Sequence, residues 1–155
     1  MSLPAAAERV AKALRDAGCT AEVREMPGST RTAEDAAAQC GCETGAIVKS
    51  LIFRAGDAPV LVLTSGSNRV HEKRLGRQLD LRLTRADADW VRGVTGFAIG
   101  GIPPIGHASP MTVVMDQDLM AYPQVWAAAG TPRCVFPITP ADLANLTEAQ
   151  VLDVT

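Results

Sequence analysis

The chain has 155 residues, 47% of them apolar but only 4% aromatic, and a formal net charge of −2. That length suits a single domain, 1–155, with a core of Ala, Val, Leu and Ile rather than of aromatic rings. The charge excludes a molecule that attracts nucleic acid as a whole, so any RNA contact must use a local basic patch. No apolar run approaches the ~20 residues needed to span a bilayer.

The N-terminal stretch Met1 to Arg9 has no basic flank followed by an apolar run, so no signal peptide is expected and a cytoplasmic location is the default. The four cysteines are Cys19, Cys40, Cys42 and Cys134. Cys40-Gly41-Cys42 has no second closely spaced pair, and His71 and His107 stand at no ligand spacing with it. No metal site is expected, and the thiols read as reduced and buried or incidental.

In chain order, Ala6, Val10, Ala13, Leu14 and Ala17 recur at helical spacing and predict a helix from Pro4 to Ala17, ended by Gly18. Ala21 to Met26 alternates as a strand does, and Pro27-Gly28-Ser29 turns the chain. Thr32 with Asp35 resembles a capping box and opens a helix from Ala33 to Cys40, closed by Gly41. Ala46 to Phe53 and Pro59 to Thr64 are too apolar for half-exposed strands and predict a hairpin at the centre of a sheet. Val70 to Arg77 reads as a short helix, Asp80 to Leu83 as a strand, and Thr84 with Asp87 as the cap of a helix running to Gly93. Thr95 to Ile99, Met111 to Met115 and Arg133 to Pro137 read as strands, and Val125 to Ala129 is open between helix and strand. Thr139-Pro140 and Thr147 with Gln150 each predict a short C-terminal helical piece. The class is α+β: a mixed sheet of about six to seven strands surrounded by helices.

No nucleophile elbow, Walker loop, dinucleotide fingerprint or H-E-x-x-H occurs, and neither histidine has an evident triad partner. Four features remain. Lys49 stands inside an apolar run, which is either a functional cation or a lysine snorkelling from a strand end. Gly100 to His107 packs three glycines and two prolines into eight residues, which is either a plain turn or a stiff loop that aims backbone N–H groups at an anion. Asp116 ends a strand. Arg69, Lys73, Arg74 and Arg77, followed by Arg82 and Arg85, form the densest basic segment, either a solvated face or a phosphate-contacting patch.

Thr32 to Ala37, Ile47 to Phe53, Thr95-Gly96, Gly100 to Gly106, and the closing Asp142-Leu143 and Leu146-Thr147 together resemble the YbaK and prolyl-tRNA synthetase editing-domain family of aminoacyl-tRNA deacylases. The likeness runs from about Thr30 to the end. It implies a YbaK-like fold and hydrolysis of the ester joining a small wrong amino acid (alanine, 2-aminobutyrate, serine or cysteine) to tRNA, with proline tRNA the best match. It implies Lys49 as the signature lysine, Gly100 and Gly101 as the glycines of a loop ending at Pro104, no protein nucleophile and no cofactor. Aminoacyl-tRNA is the implied substrate and prolyl-tRNA synthetase a suggested partner.

Chemically, an ester has a good leaving group, so positioning and oxyanion stabilisation supply most of the acceleration. Loop N–H groups at Gly100 and Gly101 are expected to meet the oxyanion, and Lys49 to hold the terminal phosphate or ribose as a point charge. Thr64, Asn68, Asp116 and the loop residues Ile102, Pro103 and Pro104 are candidates to line the amino-acid pocket. Arg69, Lys73, Arg74 and Arg77 are candidates to contact tRNA, and His107 reads as a bystander. The alternatives are a non-catalytic tRNA-binding or regulatory module of the same fold, and a small-molecule hydrolase using the same pocket.

Overall fold

The computed structural model describes residues 2–155; Met1, where the N-terminal reading begins, lies outside them. Eight strands form one mixed sheet in the order β1-β7-β6-β2-β3-β5-β8, with β4 pairing β2 off that path. The strands are β1 (Arg24–Glu25), β2 (Ile47–Ala55), β3 (Ala58–Ser65), β4 (Thr84–Arg85), β5 (Thr112–Asp116), β6 (Val125–Ala128), β7 (Cys134–Ile138) and β8 (Gln150–Leu152). The helices are α1 (Ala5–Asp16), α2 (Ala33–Cys40), α3 (Glu72–Leu79), α4 (Ala88–Thr95) and α5 (Pro140–Thr147). Among the described residues no helix is long and apolar enough to cross a membrane.

The β2–β3 hairpin is central, as the two apolar runs predict; β3 is buried from Val60 to Ser65, but β2 is buried only at Ile47, Val48 and Phe53 and half-buried elsewhere, which corrects the expectation that both strands are buried on both faces. One face carries Val48, Leu61, Leu63, Met115 and Phe136 against Val10 and Leu14 of α1, Val91 of α4 and Leu143 of α5. The other carries Phe53, Val60, Val62 and Val114 against Leu75 of α3, while Ala33, Ala36 and Ala37 of α2 pack on Ile47, Trp126 and Val135. Each such large aliphatic or aromatic side chain removed from water contributes about 1.5–3 kcal/mol. Helix starts follow local chemistry. Thr32, Asp87 and Thr139 each accept the N–H three residues on, from Asp35, Trp90 and Asp142.

Several expectations are corrected. Thr95 to Ile99 is not a strand, because Thr95 completes α4 and Gly96 caps it. Asp80 to Leu83 is irregular, and the strand there is Thr84–Arg85, so Asp87 alone caps α4. Thr147 and Gln150 open no helix; Gln150–Leu152 pairs parallel to β5. Val125–Ala128 resolves as a strand through pairing with β2 and β7. In Ala21 to Met26 only Arg24–Glu25 pairs, against β7. The strand count rises to eight because short pairings such as β1 and β4 exist only where a distant partner supplies the ladder.

One consequence of this pairing positions the site. β3 flanks β2 along nearly its whole length, but on the opposite edge β2 meets only β6, at Ile47 and Val48, and β4, at Phe53 and Arg54. Lys49, Ser50, Leu51 and Ile52 therefore face a gap in the sheet.

Candidate active site

A cleft of about 1040 Å³ opens at this gap. Successive strand residues point to opposite faces, so a cleft at an open strand edge is reached from both. Lys49 and Leu51 border it on the α3 side, Ser50 and Ile52 on the α1 side. The start of α2 contributes Thr30 to Glu34, the segment leading into α3 contributes Arg69 to Lys73, and the glycine loop contributes Ile99, Gly100 and Ile102. On a chain of net charge −2 the lining holds Arg31, Lys49, Arg69, Lys73 and Arg85 against only Glu34 and Glu72. The local basic patch that the net charge requires for RNA contact is therefore present.

Lys49 is half-buried, and its Nζ donates to the carbonyl of Asn68 at 2.5 Å. Burial pushes its pKa below the ordinary 10.5, and Arg69 adds to this while Glu34 and Asp116 oppose it. Ser50 also lines the cleft, but its hydroxyl is buried and has no hydrogen-bond partner among the described residues.

Lys49 and Gly100, predicted to share a site, line the same cleft. Gly100 has φ of 103°, and a Cβ there would meet Arg31 Cγ at 3.3 Å, so glycine lets the Arg31 side chain lie across the loop. Gly101 is placed differently from the expectation. It is buried, its N–H donates to Ala98 at 3.2 Å and its carbonyl accepts from Gly130 at 2.8 Å. Its peptide is used in holding the loop, which removes its N–H as a free oxyanion donor.

The remaining candidates separate. Ile102 lines the cleft, whereas Pro103 and Pro104 do not. The Pro103 carbonyl is bonded to His107 Nε2 at 2.7 Å, and Pro104 and His107 border a separate hollow of about 470 Å³. Thr64 and Asp116 are buried and do not line the cleft. Thr64 sits within β3 opposite Lys49, and the Asp116 carboxylate is occupied by N–H groups of Ser65, Asn68 and Asp118. Asn68 does not line the cleft either, but its carbonyl holds Lys49. Of the basic segment, Arg69 and Lys73 line the cleft and Arg74 and Arg77 do not. Arg74 reaches the Thr155 carbonyl at 2.6 Å and Asp153 at 3.5 Å, tying down the C-terminus.

Sequence reasoning missed Arg31, Glu34 and Ser50, whereas Arg85 reaches the cleft from the end of the basic segment. Glu34 had one local signal, a carboxylate in the first turn of a capped helix, but nothing in the sequence shows that this helix end faces Lys49. None of the four cysteines lines the cleft, and burial raises the Cys40 thiol to about 11 and also raises Cys42 and Cys134. Among the described residues no His, Cys, Asp and Glu cluster is placed to hold a metal ion.

Residues 28–146 match the aminoacyl-tRNA editing domain family. The chain belongs to that family. The matched span includes every residue of the cleft, and only α1 and β1 precede it. This editing domain is similar to a solved structure of a candidate trans-editing enzyme for prolyl tRNA synthetase, at 47% identity and TM-score 0.95 over 99% of both chains. It is 29% identical to protein YwhH of Bacillus subtilis over 131 residues, which cover 84% of this chain and 83% of that one. It is 31% identical over 123 residues to the proline–tRNA ligase of Bacillus licheniformis, 76% of this chain but 21% of the ligase. The editing domain thus corresponds to about a fifth of that ligase.

Proposed function

We propose that this protein is a trans-acting deacylase that hydrolyses the ester between a small wrong amino acid and tRNA, with mischarged proline tRNA as the preferred substrate. The observation that carries the reading is that the Lys49 ammonium and the glycine-loop residue Gly100 line one cleft, among Arg31, Arg69 and Lys73. The similarity to a candidate trans-editing enzyme for prolyl tRNA synthetase supports the choice of tRNA, and that synthetase is the partner it suggests. Work on charged tRNA would place the protein in the cytoplasm.

In this reading the phosphates of the tRNA end bind Arg31, Arg69 and Lys73, and Lys49 holds the terminal ribose or its phosphate as a point charge. Water adds to the acyl carbon, the carbonyl oxygen becomes an oxyanion facing the N–H of Gly100, and the carbon–ribose oxygen bond then breaks. The released ribose oxygen takes the proton that the water gives up. A hydroxyl of the terminal ribose assists the water, and neither histidine is assigned that role. His107 is bound to Pro103, and His71 Nδ1 accepts from the N–H of Arg74 to cap α3. Donors held in place before reaction are worth more than mobile ones, since no reorganisation is needed as charge develops.

Selectivity follows from exclusion. Ile52, Val91, Ile102 and Ala127 give the cleft an apolar wall. An extra methylene gains only about 1–3 kcal/mol by attraction, so a wall that clashes with larger side chains discriminates better. A small side chain such as that of alanine fits this wall.

The test is deacylation of proline tRNA charged with alanine, 2-aminobutyrate, serine, cysteine or proline, with binding of uncharged tRNA measured alongside. Release of a small amino acid, lost in Lys49→Ala at unchanged thermal stability, supports the reading. Salt-dependent tRNA binding without hydrolysis of any charged tRNA would instead identify a non-catalytic module. Equal rates on a simple aminoacyl ester would identify a small-molecule hydrolase.

A further inference from the structure

We propose that Asn68 is a positioning residue for Lys49: two carboxylates, one at the end of β5 and one just beyond it, pin its side chain, and its backbone carbonyl fixes the lysine ammonium at the cleft. This rests on the deacylase reading for its catalytic consequence but not for its geometry.

The network starts at Asp116, the last residue of β5, which is 1% exposed. A buried carboxylate is costly unless N–H groups satisfy it. Here Ser65 N donates at 3.0 Å, Asn68 Nδ2 at 2.9 Å and Asp118 N at 2.9 Å. Asn68 Nδ2 also donates to Asp118 at 2.7 Å. An amide has two N–H donors on one side only, so two carboxylate partners settle which way it points. The turn after β3 is closed further by Asn68 N donating to Ser65 O at 2.9 Å. The Asn68 peptide is thereby held by its own N–H and by its side chain, and its carbonyl remains to accept Lys49 Nζ at 2.5 Å.

A lysine side chain samples many rotamers when nothing holds its ammonium. On a cleft wall with an open strand edge nothing else in its own strand restrains it. The Asn68 carbonyl supplies that restraint without a counter-charge in contact. The ammonium keeps donors for a ligand, because it has three and the carbonyl takes one. The charged groups that face Lys49 come from other elements: Glu34 from α2, Arg69 from the segment before α3, and Asp116 from β5.

The experiment uses Asn68→Ala, which keeps the backbone carbonyl but removes both tethers, in wild-type and Lys49→Ala backgrounds. Misplacement by an ångström costs up to ~100-fold in rate, so Asn68→Ala should lower kcat by about ten- to a hundred-fold at little change in KM. In Lys49→Ala the same change should have no further effect. An equal loss in both backgrounds, or no loss in the wild type, overturns the proposal.

A second readout is independent of catalysis. The chain's lysines are Lys12, Lys49 and Lys73, so carbon-13 methylation gives a spectrum in which each is assigned by substitution. In Asn68→Ala the Lys49 signal should move toward those of Lys12 and Lys73. An unchanged Lys49 signal overturns the proposal even if the wild-type protein hydrolyses no charged tRNA, which would refute the deacylase reading alone.

Discussion

The carbonyl of Gly101 accepts the N–H of Gly130 at 2.8 Å, and a Cβ on Gly101 would lie 2.7 Å from Thr131 N and 2.8 Å from Gly130 C. Two backbones touch there, and the contact seats the glycine loop on the turn before β7. Neither backbone can give way as a flexible side chain would. Gly101→Ala is expected to destabilise the protein by about 1–3 kcal/mol, the usual cost of overpacking, and to displace Gly100 from the cleft. Gly93 in α4 is the control, since a Cβ there meets nothing within 4 Å. Gly93→Ala should stabilise by about 0.4–1 kcal/mol. Urea unfolding of both variants measures the contrast.

Lys49 should titrate below the ordinary lysine value of 10.5, because burial lowers its pKa. Between the lowered value and 10.5 the unfolded chain holds a proton that the folded chain has released, so Lys49 makes stability rise with pH across that window. Below the window the full cost of the buried charge is present. Enzymatic deacylation, corrected for spontaneous hydrolysis, should decline as pH rises through the same lowered value. Carbon-13 titration of the methylated lysines gives the first, and pH–rate profiles give the second. A Lys49 titration at the ordinary 10.5 would contradict both.

The cations of the basic segment should divide by function. Arg69→Ala and Lys73→Ala should each weaken tRNA binding and reduce the slope of log affinity against log salt by about 0.7–0.9, as expected when one phosphate contact is lost. Arg74→Ala should leave that slope unchanged, since Arg74 serves the Thr155 carbonyl and Asp153. Binding titrations at several salt concentrations separate the two classes.

Ser50→Ala should leave stability unchanged or raise it slightly. The Ser50 hydroxyl is buried without a partner among the described residues, and removing an unsatisfied polar group recovers a desolvation cost of about 1–3 kcal/mol at most. Thermal unfolding of the variant checks this, and a loss of more than 1 kcal/mol would reveal a partner for the hydroxyl.

The sequence by itself determined whatever depends on a few neighbouring residues. Thr32 and Thr139 mark helix starts because a short side-chain oxygen reaches an N–H three residues on. The runs Ala46 to Phe53 and Pro59 to Thr64 mark a central hairpin because continuous apolar stretches of strand length are hidden best inside a sheet. Lys49 and Gly100 stood out for residue type and pattern. Only the tertiary structure decided what the edge of β2 faces. Gln150–Leu152 became a strand because β5 offered it a free edge, and a gap at Lys49 to Ile52 survived because β6 and β4 each end short of it. It also decided that Arg74 meets the C-terminus while Arg69 meets the cleft, and that Asn68 joins Lys49 to Asp116. Those partners lie 79 to 81 residues apart for Arg74 and 48 for Asn68 and Asp116. Periodicity carries no information about charges and edges brought together over such distances, because it reports only what one element buries and not which element buries it.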